Sequence, residues 1–346
     1  MTASTRRVLV AMSGGVDSSV AAALLRDAGY EVTGVTLKLW GGESDSGCCS
    51  AADVEDARRV AAQLDVPHYV FNFTDDFDAR VVGPYVDAYA GGRTPNPCVE
   101  CNRSIKFGRL LERADALGFD AVATGHHARV QRERDGRVQL RRGVDDAKDQ
   151  SYVLYMLGQA ELARTLLPVG ELTKAQVREH AARLGLRTAT KPESMDVCFI
   201  TRGKREEFVT ARAGARPGPV VDGDGGVLGR HDGVPGFTIG QRRGVGVATG
   251  ERRYVVDLDA ATATVTLGRR DDLLRDSAGV RDLHFVDRVP DAQEPLDVQV
   301  RAHGAPFPGR VDGTRVRFEQ PQPRVAPGQV VALYAGDVLL GGGIAT

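Results

Sequence analysis

The sequence predicts an α/β protein in which a doubly wound parallel sheet is followed by a β-rich C-terminal part. Three observations support this prediction. An apolar strand near the N-terminus leads through a glycine-rich loop into a helix, strands and helices then alternate to about residue 205, and short strands separated by turns fill the rest of the chain. Such alternation is typical of parallel sheets with helices on both faces. Ligands of these folds bind at the carboxyl ends of the strands, so we expect a site there.

The first part of the chain predicts four strands separated by helices. The segments predicted as strands are residues 6–12, 31–39, 68–73 and 121–124, and the helices between them include residues 18–28 and 50–64. Gly29 closes the first helix, and Ser50 can cap the second, because a serine side chain accepts a hydrogen bond from a backbone N–H of the first turn. In residues 31–39 the apolar side chains are continuous enough to indicate a strand buried on both faces.

A hairpin with many arginines follows the fourth strand. Residues 129–134 and 137–142 flank Asp135-Gly136, a strong two-residue turn signal. Six arginines lie between residues 129 and 142. They could form a patch that faces phosphates, although an exposed hairpin explains them almost as well.

The C-terminal part predicts only strands. Residues 254–259 and 264–268 form one pair, and short strands recur from Leu296 to Ile344. A small barrel or sandwich fits this pattern best.

Length and composition indicate a multidomain globular protein. The chain has 346 residues, 42% hydrophobic and 26% charged, whereas one domain usually holds about 50–250 residues. No apolar run reaches the roughly 18–20 residues of a membrane helix, and the N-terminus lacks the apolar stretch of a secretion signal. Five cysteines are too few, and odd in number, for a disulfide framework. We therefore expect a cytoplasmic protein with no membrane partner, whose cysteines are reduced or catalytic.

Charge is nearly balanced, with 45 basic and 46 acidic residues and a formal net charge of −1. The overall electrostatic field of the chain therefore does not favour a polyanion. A nucleic-acid partner would have to be bound by local basic patches.

The sharpest motif is the loop Ser13-Gly14-Gly15-Val16-Asp17-Ser18 between the first strand and the first helix. Its two glycines allow the backbone to approach an anion closely. The helix that follows offers unpaired N–H groups and a partial positive charge. A glycine turn with a serine cap is the ordinary alternative, and the Walker A pattern is absent from the chain. Because sequence and context agree, we predict a site for the phosphates of a nucleotide.

This loop resembles the S-G-G-x-D-S pyrophosphate loop of the ATP pyrophosphatases, which cleave ATP between the α and β phosphates. Further motifs select one family among these enzymes. They occupy residues 94–102, 124–128, 148–152, 194–200, 236–244 and 340–343. In this order, and over nearly the whole chain, they resemble the tRNA-specific 2-thiouridylase family.

The resemblance implies ATP-dependent 2-thiolation of the wobble uridine of tRNA. ATP would adenylate the C2 oxygen, and persulfide sulfur would replace it, with release of AMP and pyrophosphate. Three domains are implied: an ATP-binding pyrophosphate-loop domain (residues 1–205), a small central domain (206–280) and a C-terminal β-barrel (281–346), the last two binding tRNA. The implied substrates and partners are ATP with Mg²⁺, tRNA, and a cysteine desulfurase or sulfur-relay protein as sulfur donor. No tightly bound cofactor is expected.

The resemblance also assigns roles to single residues. Cys101 would be the nucleophile and Cys198 the persulfide carrier, with a disulfide between them as the resting oxidised product. ATP would contact Ala11, Met12, Ser13, Gly14, Gly15, Val16, Asp17, Ser18, Leu37 and Gly125. Among these, Leu37 would flank the adenine and Asp17 would act through Mg²⁺. The target base would contact Asn96, Pro97 and Cys98, and tRNA would contact His126, Lys148, Asp149, Gln150, Arg301 and Gln329.

The cysteines can also be interpreted from the residues themselves. A helix predicted over residues 99–117 places Cys101 in its first turn, where the helix dipole favours the thiolate. An isolated cysteine is usually a small buried hydrophobe, and we prefer that interpretation for the adjacent Cys48 and Cys49. The spacing Cys98-x-x-Cys101 matches half of a zinc site, but the chain has no second pair of that kind. We therefore predict no metal ligands.

Cys98 departs from the family pattern, because relatives carry aspartate at this position of the Pro-Asn-Pro-x-x-x-Cys motif. In one mechanism Cys98 only lines the base pocket, while Cys101 and Cys198 perform the chemistry. In the alternative, the three thiols bind an iron–sulfur cluster that holds the sulfur, since soft thiolates are the usual cluster ligands. We favour the first mechanism, because a position that can carry aspartate is a poor place for an obligatory thiolate ligand.

Two other functions remain as alternatives. An amide-forming synthetase of the same superfamily would share the phosphate loop, but it would not need Cys101 and Cys198 or a β-rich tail. Ammonia-dependent ATP turnover without tRNA would support the amide-forming synthetase. A non-catalytic RNA-binding protein with a relict nucleotide fold is disfavoured by the intact loop.

Overall fold

The computed structural model describes residues 5–40, 50–192, 197–201, 203–248 and 250–346. Cys48 and Cys49, and residues 194–196 of one family motif, lie outside the described residues. No helix within the described ranges is long and apolar enough to span a membrane.

The described strands and α-helices are numbered here in chain order. The strands are β1 (Arg7–Ala11), β2 (Glu31–Lys38), β3 (His68–Asn72), β4 (Ala121–Ala123), β5 (Ala128–Arg132), β6 (Val138–Arg142), β7 (Thr165–Leu166), β8 (Gly218–Val221), β9 (Val227–His231), β10 (Tyr254–Asp259), β11 (Thr264–Gly268), β12 (Leu274–Phe285), β13 (Leu296–Gln299), β14 (Phe307–Asp312), β15 (Arg315–Pro323), β16 (Val330–Ala335) and β17 (Val338–Ala345). The α-helices are α1 (Val16–Asp27), α2 (Ala51–Gln63), α3 (Thr74–Phe77), α4 (Gly83–Ala90), α5 (Pro97–Cys101), α6 (Leu110–Ala116), α7 (Gln159–Leu162), α8 (Lys174–Arg183) and α9 (Arg205–Ala213).

The first sheet is parallel and has the strand order β3-β2-β1-β4-β7. Its central strand β1 alternates between two hydrophobic clusters, since Val8 and Val10 belong to one cluster and Leu9 to the other. All three side chains are completely buried. Both faces of the sheet are therefore covered, which confirms the predicted doubly wound α/β fold. The four predicted strands are present, with ends that differ by at most one residue.

The middle of the chain forms a second sheet with the order β10-β11-β8-β9. Its core includes Val220, Val255, Val265 and Leu267, all fully buried. The pair β10 and β11 has the predicted bounds, whereas β8 and β9 were not predicted. Glycine and exposed polar residues interrupt the alternation of apolar side chains in β9 and weaken its sequence signal.

The C-terminal strands close into a barrel. The order is β12-β15-β14-β13-β16-β17, and β12 also pairs with β17, for example through Val280 and Ala345. The predicted small barrel is thus confirmed. Strand β12 crosses the boundary expected between residues 280 and 281, and the three predicted domain bounds stay predictions.

The arginine-rich hairpin forms as predicted but belongs to the barrel's sheet. Strands β5 and β6 pair with each other around Gly136, whose φ is +90°. Strand β6 then pairs with β17, so that Leu140 lies opposite Leu339. The first part of the chain therefore contributes two strands to the C-terminal sheet.

Candidate active site

The phosphate loop between β1 and α1 is shaped by glycine and serine. Gly14 has a φ of +73°, and a Cβ atom there would lie 2.3 Å from the backbone oxygen of Asp53. The Ser18 hydroxyl accepts a hydrogen bond from the Ser13 N–H and donates one to the Gly15 carbonyl, both at 3.2 Å. No side chain caps the α1 N-terminus, where Gly15 stands. The loop therefore presents backbone donors at a helix start, as a phosphate site requires.

Gly125 is placed directly against this helix start. A Cβ atom at Gly125 would lie 2.6 Å from the Ser18 nitrogen, so only glycine fits. Met12 and Leu37 are buried below the loop, and Thr36 donates a 2.8 Å hydrogen bond to the Met12 carbonyl. The residues predicted to contact ATP therefore share one edge of the sheet. Val16 is only 4% exposed, so its predicted contact with ATP would be made through the backbone.

Asp17, in the first turn of α1, is held by two side chains from elsewhere in the chain. The Lys174 Nζ lies 2.7 Å from each carboxylate oxygen, and the His127 Nε2 lies 3.1 Å from Oδ1. Burial raises the pKa of Asp17, but the hydrogen bonds from His127 and Lys174 outweigh burial, so the pKa falls below its ordinary value. The carboxylate is therefore ionised and already paired in the absence of ATP.

A second lysine approaches the loop from its other side. The Lys191 Nζ donates to the Gly14 carbonyl at 3.1 Å, to Asp53 at 2.6 Å and to Asp56 at 2.7 Å. Burial lowers the pKa of Lys191, but the hydrogen bonds to Asp53 and Asp56 raise it above its ordinary value. Lys191 thus ties the loop to the first turns of α2 and to the segment that leads toward residue 198.

The two histidines after β4 are both buried. The His126 Nδ1 lies 2.7 Å from the Thr124 hydroxyl, and burial lowers the pKa of His126 well below its ordinary value, with Lys106 lowering it further. The His127 backbone N–H donates to the Gln150 side-chain oxygen at 2.9 Å. His126 is only 7% exposed, so its contact with tRNA stays a prediction.

The helix that carries Cys98 and Cys101 begins two residues earlier than predicted. Asn96 caps it by accepting a 3.0 Å hydrogen bond from the Cys98 N–H, and Pro97 is its first residue. The helix continues through π-helical turns at Asn102–Arg109 into α6. The prediction that Cys101 lies in the first turn is therefore wrong, because Asn96 and Pro97 form the start. Cys98 lies in the first turn, and the dipole acts less on Cys101.

The segments of Cys101 and Cys198 meet in one hydrophobic cluster. Cys101 is a buried member, and Cys198 packs against the cluster. The neighbouring Phe199 anchors the second segment, with its ring centroid 5.4 Å from that of Tyr85. Burial raises the pKa of Tyr85, as do the nearby Tyr89 and Cys98. The structure holds the three cysteines as thiols, and the disulfide between Cys101 and Cys198 stays a prediction.

The described residues do not form a metal-binding cluster. No three His, Cys, Asp or Glu side chains among them are grouped so that they could hold a metal ion. Cys98, Cys101 and Cys198 therefore do not form a site for a single metal ion, and the iron–sulfur cluster stays the alternative mechanism. At Asp17, both carboxylate oxygens contact Lys174, so the residues do not fit a preformed Mg²⁺ site either.

Asp149 belongs to a buried network that we call the joint, because it links the first part of the chain to the barrel. The joint consists of Arg142, Asp149, Ser151, Gln299 and Tyr334. Asp149 accepts hydrogen bonds from Gly143, Ser151 and Arg142. Arg142 also donates to Gln299 at 2.7 Å and lies 3.6 Å from the centroid of the Tyr334 ring. Asp149 is thus satisfied inside the protein, while Lys148 is half-buried and Gln150 exposed at the surface beside it.

The hairpin arginines also contact protein groups. Arg129 and Arg141 pair with Asp337, and Arg137 pairs with Asp135 and Asp287. The hairpin is therefore a docking element of the barrel, which neither interpretation of its arginines anticipated.

The two predicted tRNA contacts of the barrel lie in different surroundings. Arg301 is exposed. The Gln329 side-chain amide donates a 2.8 Å hydrogen bond to the Thr94 carbonyl, and the Thr94 N–H donates a 2.7 Å hydrogen bond to the Pro327 carbonyl. The barrel thus holds the loop that leads to Asn96. Contact of Arg301 or Gln329 with tRNA stays a prediction.

Lys174 and Lys191 were missed by the sequence interpretation. One signal for Lys174 is available: Thr173 and Gln176 form a capping box, so the lysine is the first residue of a helix. A cation there is disfavoured by the helix dipole, and an unfavourable charge indicates a nearby anion. Nothing in the sequence around Lys191 indicates its partners Asp53 and Asp56.

Comparison with known proteins identifies relatives of the whole chain. Three family profiles match in succession: the tRNA methyl transferase HUP domain at residues 6–202, the tRNA methyl transferase PRC-barrel domain at 206–269 and the aminomethyltransferase beta-barrel domain at 275–345. A tRNA-specific 2-thiouridylase MnmA from Chloroflexus aggregans is 52% identical, covering 97% of each chain. A protein of the same name from Roseiflexus castenholzii is 48% identical, and the match covers 97% of this chain and 98% of that protein. Another from Carboxydothermus hydrogenoformans is also 48% identical, and the match covers 98% of this chain and 97% of that protein.

Proposed function

The chain belongs to the tRNA-specific 2-thiouridylase family, and on this premise we propose that it replaces the C2 oxygen of the wobble uridine of tRNA by sulfur in an ATP-dependent reaction. The observation that carries the proposal is the meeting of the Cys101 and Cys198 segments in one hydrophobic cluster. A preformed phosphate loop in the same domain supports the use of ATP.

The first step activates the base. The uracil C2 oxygen attacks the α-phosphorus of ATP, and pyrophosphate leaves with the electron pair of the broken P–O bond. Activation is needed because a carbonyl oxygen is a poor leaving group, whereas AMP is a good one. The amides of Ser13 to Ser18 would bind the phosphates. Mg²⁺ would arrive with ATP, because this ion is usually bound by substrate phosphates and one or two carboxylates rather than by a protein cage.

The second step transfers sulfur. The terminal sulfur of a Cys198 persulfide adds to C2 as its anion, and AMP leaves with the electron pair of the C2–O bond. The Cys101 thiolate then attacks the Cys198 Sγ, the S–S bond breaks toward the base, and 2-thiouridine and a Cys101–Cys198 disulfide result. An external thiol reductant must restore the two thiols before the next cycle.

Partners follow from this chemistry. A cysteine desulfurase or sulfur-relay protein would load Cys198, and we place the enzyme in the cytoplasm, with its tRNA substrate and thiol reductants. Four of the six hairpin arginines pair with carboxylates, namely Arg129, Arg137, Arg141 and Arg142. We therefore expect tRNA docking to rely mainly on exposed arginines elsewhere. The second sheet and its connections offer Arg242, Arg243, Arg252 and Arg270.

One reconstitution tests the proposal. The protein is incubated with bulk tRNA, ATP, Mg²⁺, a thiol reductant and a cysteine desulfurase with cysteine, and the nucleosides are analysed by mass. We expect 2-thiouridine and tRNA-dependent pyrophosphate release. Cys198→Ser should still release pyrophosphate but accept no ³⁵S from the desulfurase, whereas Cys101→Ser should be labelled yet form no product. Label on Cys198→Ser and none on Cys101→Ser would reverse the two roles.

Cys98→Asp separates the two thiol mechanisms. We expect this variant to keep substantial activity, because Cys98 would only line the base pocket with Asn96 and Pro97. Activity lost together with stoichiometric iron and acid-labile sulfide would establish the cluster mechanism instead. Ammonia-dependent ATP turnover without tRNA would indicate the amide-forming alternative.

A further inference from the structure

A lysine from a distant part of the chain reaches the phosphate loop. Lys174 is the first residue of α8, and its ammonium group lies 2.7 Å from both carboxylate oxygens of Asp17. Its side chain is only 13% exposed. Asp17 is in the first turn of α1, so the ammonium group lies beside the helix start where the phosphates of ATP would bind.

The surroundings of Lys174 favour an additional anion. A cation in the first turn of a helix is disfavoured by the helix dipole, so the charge of Lys174 is electrostatically unfavourable within α8 itself. The carboxylate of Asp17 is shared with His127, which lies 3.1 Å from its Oδ1 atom. The positive end of α1, Lys174 and the His127 N–H group therefore all act on one carboxylate, and a phosphate group arriving there would find excess positive potential.

Lys191 shows the contrasting arrangement. Its amine is shared by Asp53 and Asp56, and Arg187 also pairs with Asp56 at 3.0 Å. Two cations face two carboxylates of α2, and the contact of Lys191 with the phosphate loop is to the backbone carbonyl of Gly14. Lys191 is thus a positioning residue, whereas Lys174 pairs with a charged side chain of the loop.

We propose that Lys174 is a catalytic residue that contacts the departing pyrophosphate of ATP, and that Asp17 holds its ammonium group in place when ATP is absent. This inference rests on the proposed function. When the uracil oxygen attacks the α-phosphorus, the bridging oxygen takes the electron pair and the pyrophosphate gains negative charge. An ammonium group on a flexible stem can turn from the carboxylate to a phosphate oxygen and stabilise that charge.

Binding of inorganic pyrophosphate and of AMP to the full-length protein tests the contact. Loss of one charged hydrogen bond is worth about 10- to 100-fold in affinity. We expect Lys174→Met to weaken pyrophosphate binding by about that factor and to change AMP binding less than twofold. Lys204→Met is the matched control, because Lys204 also stands at a helix start, as the N-cap of α9, and its side chain is 60% exposed and pairs with Glu207. This variant should bind pyrophosphate and AMP like the wild type.

The double variant Asp17→Asn/Lys174→Met distinguishes contact from simple neutralisation of Asp17. If Lys174 contacts pyrophosphate, the double variant still binds pyrophosphate weakly. Wild-type affinity for pyrophosphate in the double variant would overturn the proposal. Wild-type affinity in Lys174→Met, or an equal loss for AMP, would do so as well. Lys174→Gln replaces Lys174→Met if the latter does not fold. Failure of the wild type to form 2-thiouridine would refute the proposed function but leave these affinities interpretable.

Discussion

The phosphate loop and the joint are both polar, and both coincide with family motifs, yet their charges are satisfied in different ways. In the joint, Asp149 accepts four hydrogen bonds from Gly143, Ser151 and Arg142, and the network is closed within the protein. At the phosphate loop, Asp17 is ionised and paired, but the backbone donors at the start of α1 have no side-chain cap. A motif can therefore mark either a site prepared for a ligand or an internal connection between domains.

The contrast teaches that burial and partners, rather than residue type, separate these two uses. Buried polar groups must be hydrogen-bonded, so a closed network contributes to a unique structure. Donors left open at a helix start are instead ready for an anion. Variants in the joint should therefore change the free energy of unfolding, while variants in the loop should change ATP turnover.

The largest effect is expected from Asp149→Ala. Removal of the carboxylate leaves Arg142, whose side chain is only 18% exposed, without its charged partner. We expect a cost of about 3 kcal/mol of unfolding free energy, the lower end of the range for a broken buried ion pair. Urea denaturation should show this loss, with tRNA affinity of the folded fraction unchanged. A variant of wild-type stability with weaker tRNA binding would show that Asp149 contacts tRNA directly.

Gly14→Ala should lower tRNA-dependent pyrophosphate release about 100-fold, the effect of losing one preorganised donor site at a reacting group. The added Cβ would lie 2.3 Å from the Asp53 carbonyl oxygen and would displace the loop. Gly136→Ala is the matched control, because Gly136 also has a positive φ, +90°, but open space around its Cβ position. The control should lose about 1–2 kcal/mol of stability from backbone strain alone and keep full activity. Equal activity of both variants would show that the loop is not part of the ATP site.

Stability should fall below pH 6.5 because of His126. Burial holds the pKa of His126 below that of the unfolded chain, so the unfolded state binds the proton first. The contribution of His126 to the unfolding free energy is therefore complete above pH 6.5. It is lost as the pH decreases below that value, by about 1.4 kcal/mol per pH unit. Urea denaturation at pH 7.5 and 5.5 should show a loss about 1.4 kcal/mol larger for the wild type than for His126→Asn. His68, whose pKa is lowered by burial and by Arg58, contributes in both proteins. Equal losses would place His126 outside the buried core.

The smallest effect is expected from the hairpin. Arg129→Gln removes a 2.7 Å ion pair with Asp337 and should leave the salt dependence of tRNA affinity unchanged. An arginine that contacts a phosphate would instead reduce the slope of log affinity against log salt by about one. A filter-binding series over salt concentrations distinguishes the two cases.

The sequence predicted the parts that depend on local patterns. The apolar strand before Ser13, the cap at Ser50 and the turn at Asp135-Gly136 each determine a local conformation, and all three are present. The partners of Asp17 could not be predicted, because Lys174 and His127 reach it only through tertiary folding. The helix start was predicted at residue 99 instead of Pro97, because the capping signal of Asn96 followed by Pro97 was not used.

The attachment of the hairpin to the last strand has a consequence for synthesis of the protein on the ribosome. Arg129 and its partner Asp337 are 208 residues apart, which corresponds to roughly 10–40 s of translation at 5–20 residues per second. Until the C-terminal strands have been synthesised, β6 has an unpaired edge, and the loop at Thr94 lacks its hydrogen bond from Gln329. The nascent chain can therefore assemble its nucleotide-binding sheet early, but the enzyme is complete only after its final residues leave the exit tunnel.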